Sequence, residues 1–517
     1  MKDRTKAAAF LLLAAFIVSM AFYFKNGLHY MDADLASEMI LANLQNREGT
    51  LLTGSWFYSS ELRLISPVPA YQLGLALFGS WHLARTFAVG LMLLLMILCF
   101  LYMAKPCRMH AGGLLTAVVL ALPFSAEYAD FVAYGSYYTM HLCLFFLQMG
   151  LLFRMDRKKG RLLRFLLILL LGFWSGLGGI RLLMMFAAPL ALALFADALL
   201  SIRGKDTLKS CLPALPLPML AAAGAMMLFM VIGFLANVKL LAPLLSYDSH
   251  METPVIIPEA EIAFYQVTEA ASFFGLRSAT QFMSLRGLLS LAAIFLTGLC
   301  FAAPVLRLRR WSALALPERI TALFALCAIL LGIIVNMITG NYVSHYYMAG
   351  LIMSLVCTDQ LLYDANLPKI LRSGFAVLLV GVFALQAGIF VREDMPSERN
   401  NEEKAAAWLQ KEGYTQGYAT FWHGATLTNA SSGAIEVWVL DEATYTDDWK
   451  QLNLNQFLQE KRHLTEDPAG AVFVYLSPEE ETDPPAWADQ AHLAKRASWG
   501  AVYVWESAAS LRASAGV

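Results

Sequence analysis

Two aspartates stand two positions apart shortly after the first apolar run of the chain. Asp32 and Asp34 belong to HYMDADLASEM, residues 29–39, which follows an apolar run over residues 7–24. A carboxylate whose pKa is adjusted by partial burial and neighbouring charges can act as a general base toward a hydroxyl or an amine. The pair therefore indicates acid–base chemistry at the end of a membrane-spanning helix.

The segment after the aspartates predicts an amphipathic helix that lies along the outer membrane surface. LASEMILANLQN places Leu35, Met39 and Ala42 at helical spacing, with polar side chains beside them. Asp34 stands at the expected N-cap position, so capping is the structural alternative to catalysis for this residue. Asp32 has no such structural role in this interpretation.

The composition is that of a polytopic membrane protein. Of 517 residues, 58% are hydrophobic and 15% charged, and the mean hydropathy is +0.56. We expect an α-helical membrane domain over residues 1–391 and a soluble α/β domain over 392–517. Eleven spans are predicted, at residues 7–24, 86–104, 111–127, 137–153, 165–180, 182–200, 213–236, 287–306, 320–338, 346–363 and 373–391.

The distribution of charge predicts the orientation. Residues 1–391 carry 28 basic and 19 acidic side chains, and the basic ones concentrate in alternate loops. Since cytoplasmic loops are rich in Lys and Arg, we place the amino terminus inside as an uncleaved signal anchor. The first loop, 25–85, and the tail then face outside the cell membrane. The proline-led segment 66–85 is interpreted as juxtamembrane or re-entrant, because counting it as a span would put the basic loops outside.

Two classes of function are set aside by composition. The tail has 10 basic and 20 acidic residues, so it has no basic surface that would attract nucleic acid. The seven cysteines include no C-x-x-C pair, and neither a disulfide framework nor a zinc site is predicted.

Further candidate site residues lie at the outer ends of the predicted spans. Arg181 follows GLGGI and can bind a phosphate bidentately, or it can serve as a positional anchor or as a partner of Asp130. Arg63 and Arg85 are weaker candidates for the same role. Aromatic and imidazole side chains that can line a substrate cavity, or form an ordinary interfacial belt, are Tyr58, Tyr137, Tyr138, His345 and Tyr346.

The tail reads as a small α/β domain. A helix is predicted over 399–412, and strands are predicted in YATFW, AIEVWVL, AVFVYLS and AVYVWE. Trp422, His423 and Trp438 can contact a glycan or belong to the core.

These features together resemble a known class of enzymes. The acidic first loop, the helix after it, the proline-led segment ending in ALFGSWHLAR, the many spans and the outer tail resemble the GT-C membrane glycosyltransferases. Relatives include protein O-mannosyltransferases and aminoarabinose transferases. SEMILANLQNREGTLLTGSWFYSSELRLI and GYATFWHGATLTNASSGAIEVWVL are also similar to largely uncharacterised membrane proteins of anaerobic Gram-positive bacteria.

The resemblance implies inverting transfer of a sugar from a polyprenyl-phosphate donor to a cell-envelope acceptor. It assigns the base to Asp32 or Asp34, and the lipid phosphate to basic residues. The sequence Asp-Ala-Asp departs from the adjacent acidic residues common in the class, so either aspartate can be the base. No metal is expected, and a divalent ion is the less favoured alternative. A transporter or lipid flippase is the competing class, but such proteins place ionisable groups near the bilayer midplane.

Overall fold

The chain forms two compact units. The computed structural model describes residues 2–58, 62–203, 215–245, 261–277, 280–340, 345–364, 368–441 and 448–517. The helical unit comprises Met1–Met20, Leu91–Leu241 and Met251–Asp394. The mixed unit comprises Ala21–Gly90, Ala242–His250 and Met395–Val517. The first predicted outer loop thus belongs to the same unit as the tail.

Helices occupy all eleven predicted span positions. Within the described residues, seven helical segments are long and apolar enough to cross a membrane. The predicted helical membrane domain is confirmed. The helices at the predicted spans are α1 (Lys2–Asn26), α4 (Trp81–Ala104), α5 (Leu114–Leu120), α6 (Thr139–Leu152), α7 (Arg161–Leu177), α8 (Ala188–Ile202), α9 (Leu217–Ala236), α11 (Leu285–Leu308), α12 (Leu316–Thr339), α13 (Met348–Asp364) and α14 (Lys369–Ile389).

Three further helices lie between the predicted spans. They are α2 (Ala33–Glu48), α3 (Val68–Phe78) and α10 (Glu261–Phe273). Short helical segments also occur at Ala126–Tyr128, Ala129–Ala133, Leu183–Ala187, Asn237–Leu241, Ala242–Leu244, His345–Tyr347 and Phe390–Asp394.

The proline-led segment forms a short helix and then the start of a span. Helix α3 has 11 residues, which at 1.5 Å per residue reach only about 16 Å, against about 30 Å of hydrocarbon core. Gly79, at φ +63°, ends α3. Helix α4 begins at Trp81, five residues before the predicted start. A Cβ at Gly74 would lie 2.5 Å from the Ala84 carbonyl oxygen, so this glycine allows α3 and α4 to pack closely.

The tail forms a five-stranded sheet with helices, as predicted. The sheet order is β2-β1-β3-β5-β4; β1 pairs with β2 and β3 in parallel, and β5 pairs with β3 and β4 antiparallel. Apolar side chains of the strands form clusters that include Trp438 and Trp505 in one and Phe473 and Tyr475 in another. The elements are α15 (Asn401–Glu412), β1 (Gln416–Thr420), α16 (Phe421–Ala430), β2 (Glu436–Leu440), β3 (Val472–Leu476), β4 (Leu493–Ala497), β5 (Gly500–Trp505) and α17 (Ala508–Ala515).

Two strand predictions need correction. The strand expected over YATFW ends at Thr420, and Phe421 and Trp422 begin α16. Strand β4, Leu493–Ala497, was not predicted, because its side chains are mostly exposed at the sheet edge and lack an apolar alternation.

Candidate active site

Helix α2 begins at the aspartate pair. Asp32 is the N-cap, with extended backbone, and its Oδ1 accepts a hydrogen bond from the Leu35 N–H at 2.8 Å. The expectation that Asp34 is the cap is therefore wrong, because the helix starts two residues earlier than the apolar pattern indicates. Asp32 is exposed, and Asp34 is half-buried in the first turn. Both carboxylates stand at the N-terminus of helix α2.

Helix α2 is buried nearly all round, rather than lying on a surface. Leu35, Met39 and Ala42 are buried as expected, and Ser37, Glu38 and Gln45 are buried as well. The helix packs against α3 on one side and α16 on another. The predicted polar face is thus covered by elements that are distant in sequence.

Glu38, one helical turn after Asp34, is the centre of a charge cluster in the mixed unit. It is 1% exposed, and its carboxylate lies 3.0 Å from the Arg63 guanidinium. Burial raises the pKa of Glu38 to about 7; Arg63 and Arg85 oppose the rise, and Asp34 and Asp32 add to it. The structure therefore gathers Asp32, Asp34, Arg63 and Arg85 around Glu38. Sequence reasoning missed Glu38; its i+4 spacing from Asp34 was the available signal.

The two arginines of this cluster are held in place by the fold. Arg63 has a left-handed backbone, at φ 57°, which a non-glycine residue adopts only when its surroundings require it. Arg85 is 3% exposed, donates to the Leu35 carbonyl at 3.1 Å, and lies 5.4 Å from the ring centre of Tyr71. Its Nη1 has no hydrogen-bond partner among the described residues.

Tyr58 has a local role in its loop. Its hydroxyl donates to the Thr53 carbonyl at 3.1 Å and accepts from the Thr53 N–H at 3.2 Å. Tyr58 is 7% exposed, and burial raises the pKa of its hydroxyl.

The remaining candidates converge in the helical unit. The Arg181 guanidinium lies 5.3 Å from the Tyr138 ring centre, and the His345 ring lies 5.1 Å from Tyr138 and 4.7 Å from Tyr346. Phe131 joins the cluster by contacts with Tyr137, Tyr138 and His345. Their expected convergence is thus observed in this unit. Asn341 and Tyr342, which share the stretch GNYVSHYY with His345 and Tyr346, lie outside the described residues.

His345 is neutral in this cluster. Burial, followed by the positive charge of Arg181, lowers the pKa of His345 to about 3. Arg181 thus provides positive charge here, while His345 can exchange hydrogen bonds only as a neutral imidazole. Groups of three or more His, Cys, Asp or Glu side chains suited to a metal ion are absent from the described part of the chain.

Among the solved structures that match this chain, two of ArnT cover nearly all of it. ArnT from Cupriavidus metallidurans in the apo state aligns with a TM-score of 0.57 and 13% identity, over 98% of this chain and 99% of that chain. The fold is that of ArnT. The same ArnT bound to undecaprenyl phosphate aligns with a TM-score of 0.57 and 12% identity, over 97% of this chain and 98% of that chain.

The ArnT likeness confirms the predicted resemblance to the GT-C class at the level of fold. No family model matches the chain, and comparison with curated proteins finds no match. The identity to ArnT is 12–13%, so the likeness is one of fold.

Proposed function

We propose that this protein is a GT-C type membrane glycosyltransferase. It moves a sugar from a polyprenyl-phosphate donor to an acceptor of the cell envelope, on the outer face of the cell membrane. The observation that carries the proposal is an aspartate pair at the N-terminus of a buried helix, beside Arg63 and Arg85, in a chain with the fold of ArnT. The ArnT structure with bound undecaprenyl phosphate supports the class of lipid carrier.

The reaction is an inverting substitution at the anomeric carbon of the donor sugar. Asp32 or Asp34 takes the proton of an acceptor hydroxyl or amine, whose oxygen or nitrogen attacks the anomeric carbon. The bond between that carbon and the phosphate oxygen breaks, and polyprenyl phosphate leaves with the bonding electron pair. Both aspartates are candidates for the base: Asp32 is the more exposed, whereas the Asp34 side chain does not provide the N-cap bond to Leu35.

Basic side chains stabilise the charge that develops on the leaving phosphate. Arg181, Arg63 and Arg85 are assigned this role, because guanidinium groups match phosphate oxygens bidentately. A metal is not assigned. Sugar and lipid contacts are assigned to Tyr137, Tyr138, His345 and Tyr346, while Tyr58 shapes the first loop. The division into a membrane domain, 1–391, and an extracytoplasmic domain, 392–517, belongs to this proposal.

Buried acidic residues of the apolar helices favour an enzyme over a transporter or flippase. Asp197 pairs with Arg319 at 2.7 Å, and Asp359 pairs with His110 at 2.6 Å. Each carboxylate is thereby held by a side-chain partner near a predicted cytoplasmic helix end, whereas a transporter places ionisable groups along a pathway near the midplane.

The proposal is tested with Asp32→Asn and Asp34→Asn in lipid nanodiscs that contain an undecaprenyl-phosphate-linked sugar. Asparagine is as good an N-cap as aspartate, so Asp32→Asn removes the charge and keeps the helix start. We expect at least one variant to lose about 100-fold or more of the transfer rate, because a general base contributes roughly 10²–10⁴. Asp156→Asn, in an exposed loop between α6 and α7, is the matched control and retains activity. Transfer at the wild-type rate by both site variants would contradict the assignment.

A further inference from the structure

A cavity lies within the mixed unit, lined by residues other than the aspartates. Its volume is about 120 Å³, and its walls come from α2, the first loop, α16, β2 and residues 458–463. A cavity of about 150 Å³ in another protein accommodates a benzene molecule. The cavity in this chain is therefore of the size of one six-membered ring.

Tryptophans form the apolar part of the wall. Trp56 is 1% exposed and Trp81 is 8% exposed, and both line the cavity. The Trp56 Nε1–H has no hydrogen-bond partner among the described residues. A buried donor without a partner destabilises the protein, so a ligand that offers an oxygen to this N–H gains a hydrogen bond that the protein alone does not make.

Arg47, Glu436 and Glu460 form the charged part of the wall, and each takes part in an ion pair. Arg47 pairs with Glu460, and Arg462 pairs with both Glu460, at 2.8 Å, and Glu436. Arg462 is outside the cavity lining, but its guanidinium and that of Arg47 together compensate the charges of the two carboxylates. Because these charges compensate each other, the cavity has no excess charge to attract an ion, yet its carboxylate oxygens retain lone pairs that can accept hydrogen bonds from hydroxyl groups.

His463 adds a polar group without a charge. Its Nε2 lies 3.1 Å from Glu436, its ring stacks on Trp438 at 4.3 Å, and burial lowers its pKa to about 4. The Gln459 amide beside it is anchored to the Val439 backbone by both its oxygen and its nitrogen. The polar wall is therefore rigid before a ligand arrives, which reduces the entropy lost on binding.

We propose that this cavity binds one neutral sugar ring of a glycan. The C–H faces of a sugar ring match the two tryptophans, and its hydroxyl groups can donate to Glu436 and Glu460 and accept from Trp56 Nε1. The binding of a sugar here stands independently of catalysis. That this sugar is part of the acceptor glycan rests on the proposed function.

The test measures the binding of methyl glycosides of glucose, galactose, mannose and N-acetylglucosamine to the full chain by saturation-transfer difference NMR. The protein is held in lipid nanodiscs, because maltoside detergents themselves carry sugars. We expect at least one neutral glycoside to bind with a Kd of about 1 mM, as suits a single ring in a small cavity. Glucose 1-phosphate is the charged comparison and binds more weakly.

Two variants locate the binding. Thr428→Phe, on α16, places a large side chain in the cavity and abolishes glycoside binding, seen as loss of the NMR saturation-transfer signal. Trp56→Phe removes only the unpaired N–H from a mostly retained ring, and weakens binding about five- to tenfold, the effect of one hydrogen bond. Trp174→Phe is the matched control: this tryptophan of α7, in the helical unit, is 37% exposed, does not line the cavity, and its replacement leaves binding unchanged.

Thermal unfolding is recorded for each variant, and Trp56→Phe decides the question if Thr428→Phe does not fold. The proposal is overturned if none of the neutral glycosides binds, even at concentrations well above the millimolar range. It is also overturned by binding that both cavity variants retain, or by a preference for the phosphorylated sugar. Asp32→Asn and Asp34→Asn separate this proposal from the proposed function. If the protein never transfers a sugar to an acceptor but both variants still bind the glycoside, the transferase assignment fails and the sugar site stands.

Discussion

Glu38 is the residue whose environment differs most from what its neighbours in sequence indicate. It is buried with its carboxylate against Arg63 and lies close enough to Asp32 and Asp34 for both to raise its pKa. In the folded protein this carboxyl holds its proton up to about pH 7, whereas a carboxyl in the unfolded chain loses it near pH 4.5. In the proposed site, a neutral Glu38 also does not offset the positive charge of Arg63, which is then available to a phosphate.

The raised pKa of Glu38 predicts a specific dependence of stability on pH. Between about pH 4.5 and pH 7 the folded protein binds more protons at this site than the unfolded chain does, so its contribution to stability is present below pH 4.5 and is lost as the pH rises through 7. Glu38→Gln, which stays neutral, should flatten the fall in thermal unfolding temperature over this range. Above pH 7, the free energy of unfolding of Glu38→Gln should exceed that of the wild type by on the order of 1–3 kcal/mol.

The matched control for Glu38 is Glu48→Gln, at the exposed end of the same helix. It should leave the pH profile of unfolding unchanged. A Glu38→Gln profile parallel to that of the wild type would show that this carboxyl does not titrate in the stated range.

Arg181 belongs to the proposed phosphate contacts, so we expect its replacement to raise the KM for the donor. Arg181→Ala removes the guanidinium that lies over the Tyr138 ring and beside His345. We expect the apparent KM for the polyprenyl-phosphate sugar to rise about tenfold or more, because a charge-assisted contact contributes roughly 1.5–3 kcal/mol. The pKa of His345, followed by NMR, should rise as well, since Arg181 contributes to its lowering.

Arg157→Ala, in an exposed loop, is the control for Arg181 and should keep the wild-type KM. An unchanged donor KM in Arg181→Ala would remove this residue from the phosphate contacts.

At the scale of elements, α2, α3 and α4 hold the first-loop residues in place. Helix α2 contributes the aspartates and Glu38, and α4 contributes Arg85. Helix α3 packs on α2, and at Gly74 its backbone comes close to Ala84 of α4. Each leucine or methionine side chain that α2 buries contributes about 1.5–3 kcal/mol, so this arrangement depends on packing more than on the helix propensity of α2.

Gly74→Ala tests this packing. The new methyl group would stand 2.5 Å from the Ala84 carbonyl oxygen and 2.9 Å from its Cα, and backbone atoms cannot move aside as a side chain can. We expect a loss of about 2–3 kcal/mol of stability, measured as a lower thermal unfolding temperature, with reduced transfer activity because Arg85 moves with α4.

Gly54→Ala is the matched glycine control. A Cβ at Gly54 meets nothing within 4 Å, and its backbone is outside the left-handed region. This variant should unfold at the wild-type temperature; if both alanine variants do so, the close packing of α3 on α4 is refuted.

At the scale of the whole molecule, the charge distribution predicts which segments face the outside. Lys411 is exposed on α15 of the tail, and Lys159 is exposed in a basic loop between α6 and α7. In a variant without native cysteines, a membrane-impermeant maleimide should label Lys411→Cys in intact cells. It should label Lys159→Cys only after permeabilisation. The opposite pattern would place the aspartates on the cytoplasmic side and contradict the proposed chemistry.

Much of the architecture could be predicted because it depends on local patterns. Apolar runs long enough to span a membrane predicted all eleven helix positions. The alternating apolar residues of the tail predicted four of its five strands. β4 escaped prediction because an exposed edge strand such as Leu493–Ala497 carries no such pattern.

What the sequence determined by itself was therefore the class of the protein, its helical and α/β parts, and the aspartate pair with its candidate arginines. Tertiary structure alone decided that α2 is buried, that Glu38 joins the charge cluster, and that Arg47 pairs with Glu460, 413 positions away, in the wall of the cavity. The physical reason is the range of the interactions. Hydropathy acts on each segment separately, whereas burial and charge pairing depend on contacts between segments that no local pattern specifies.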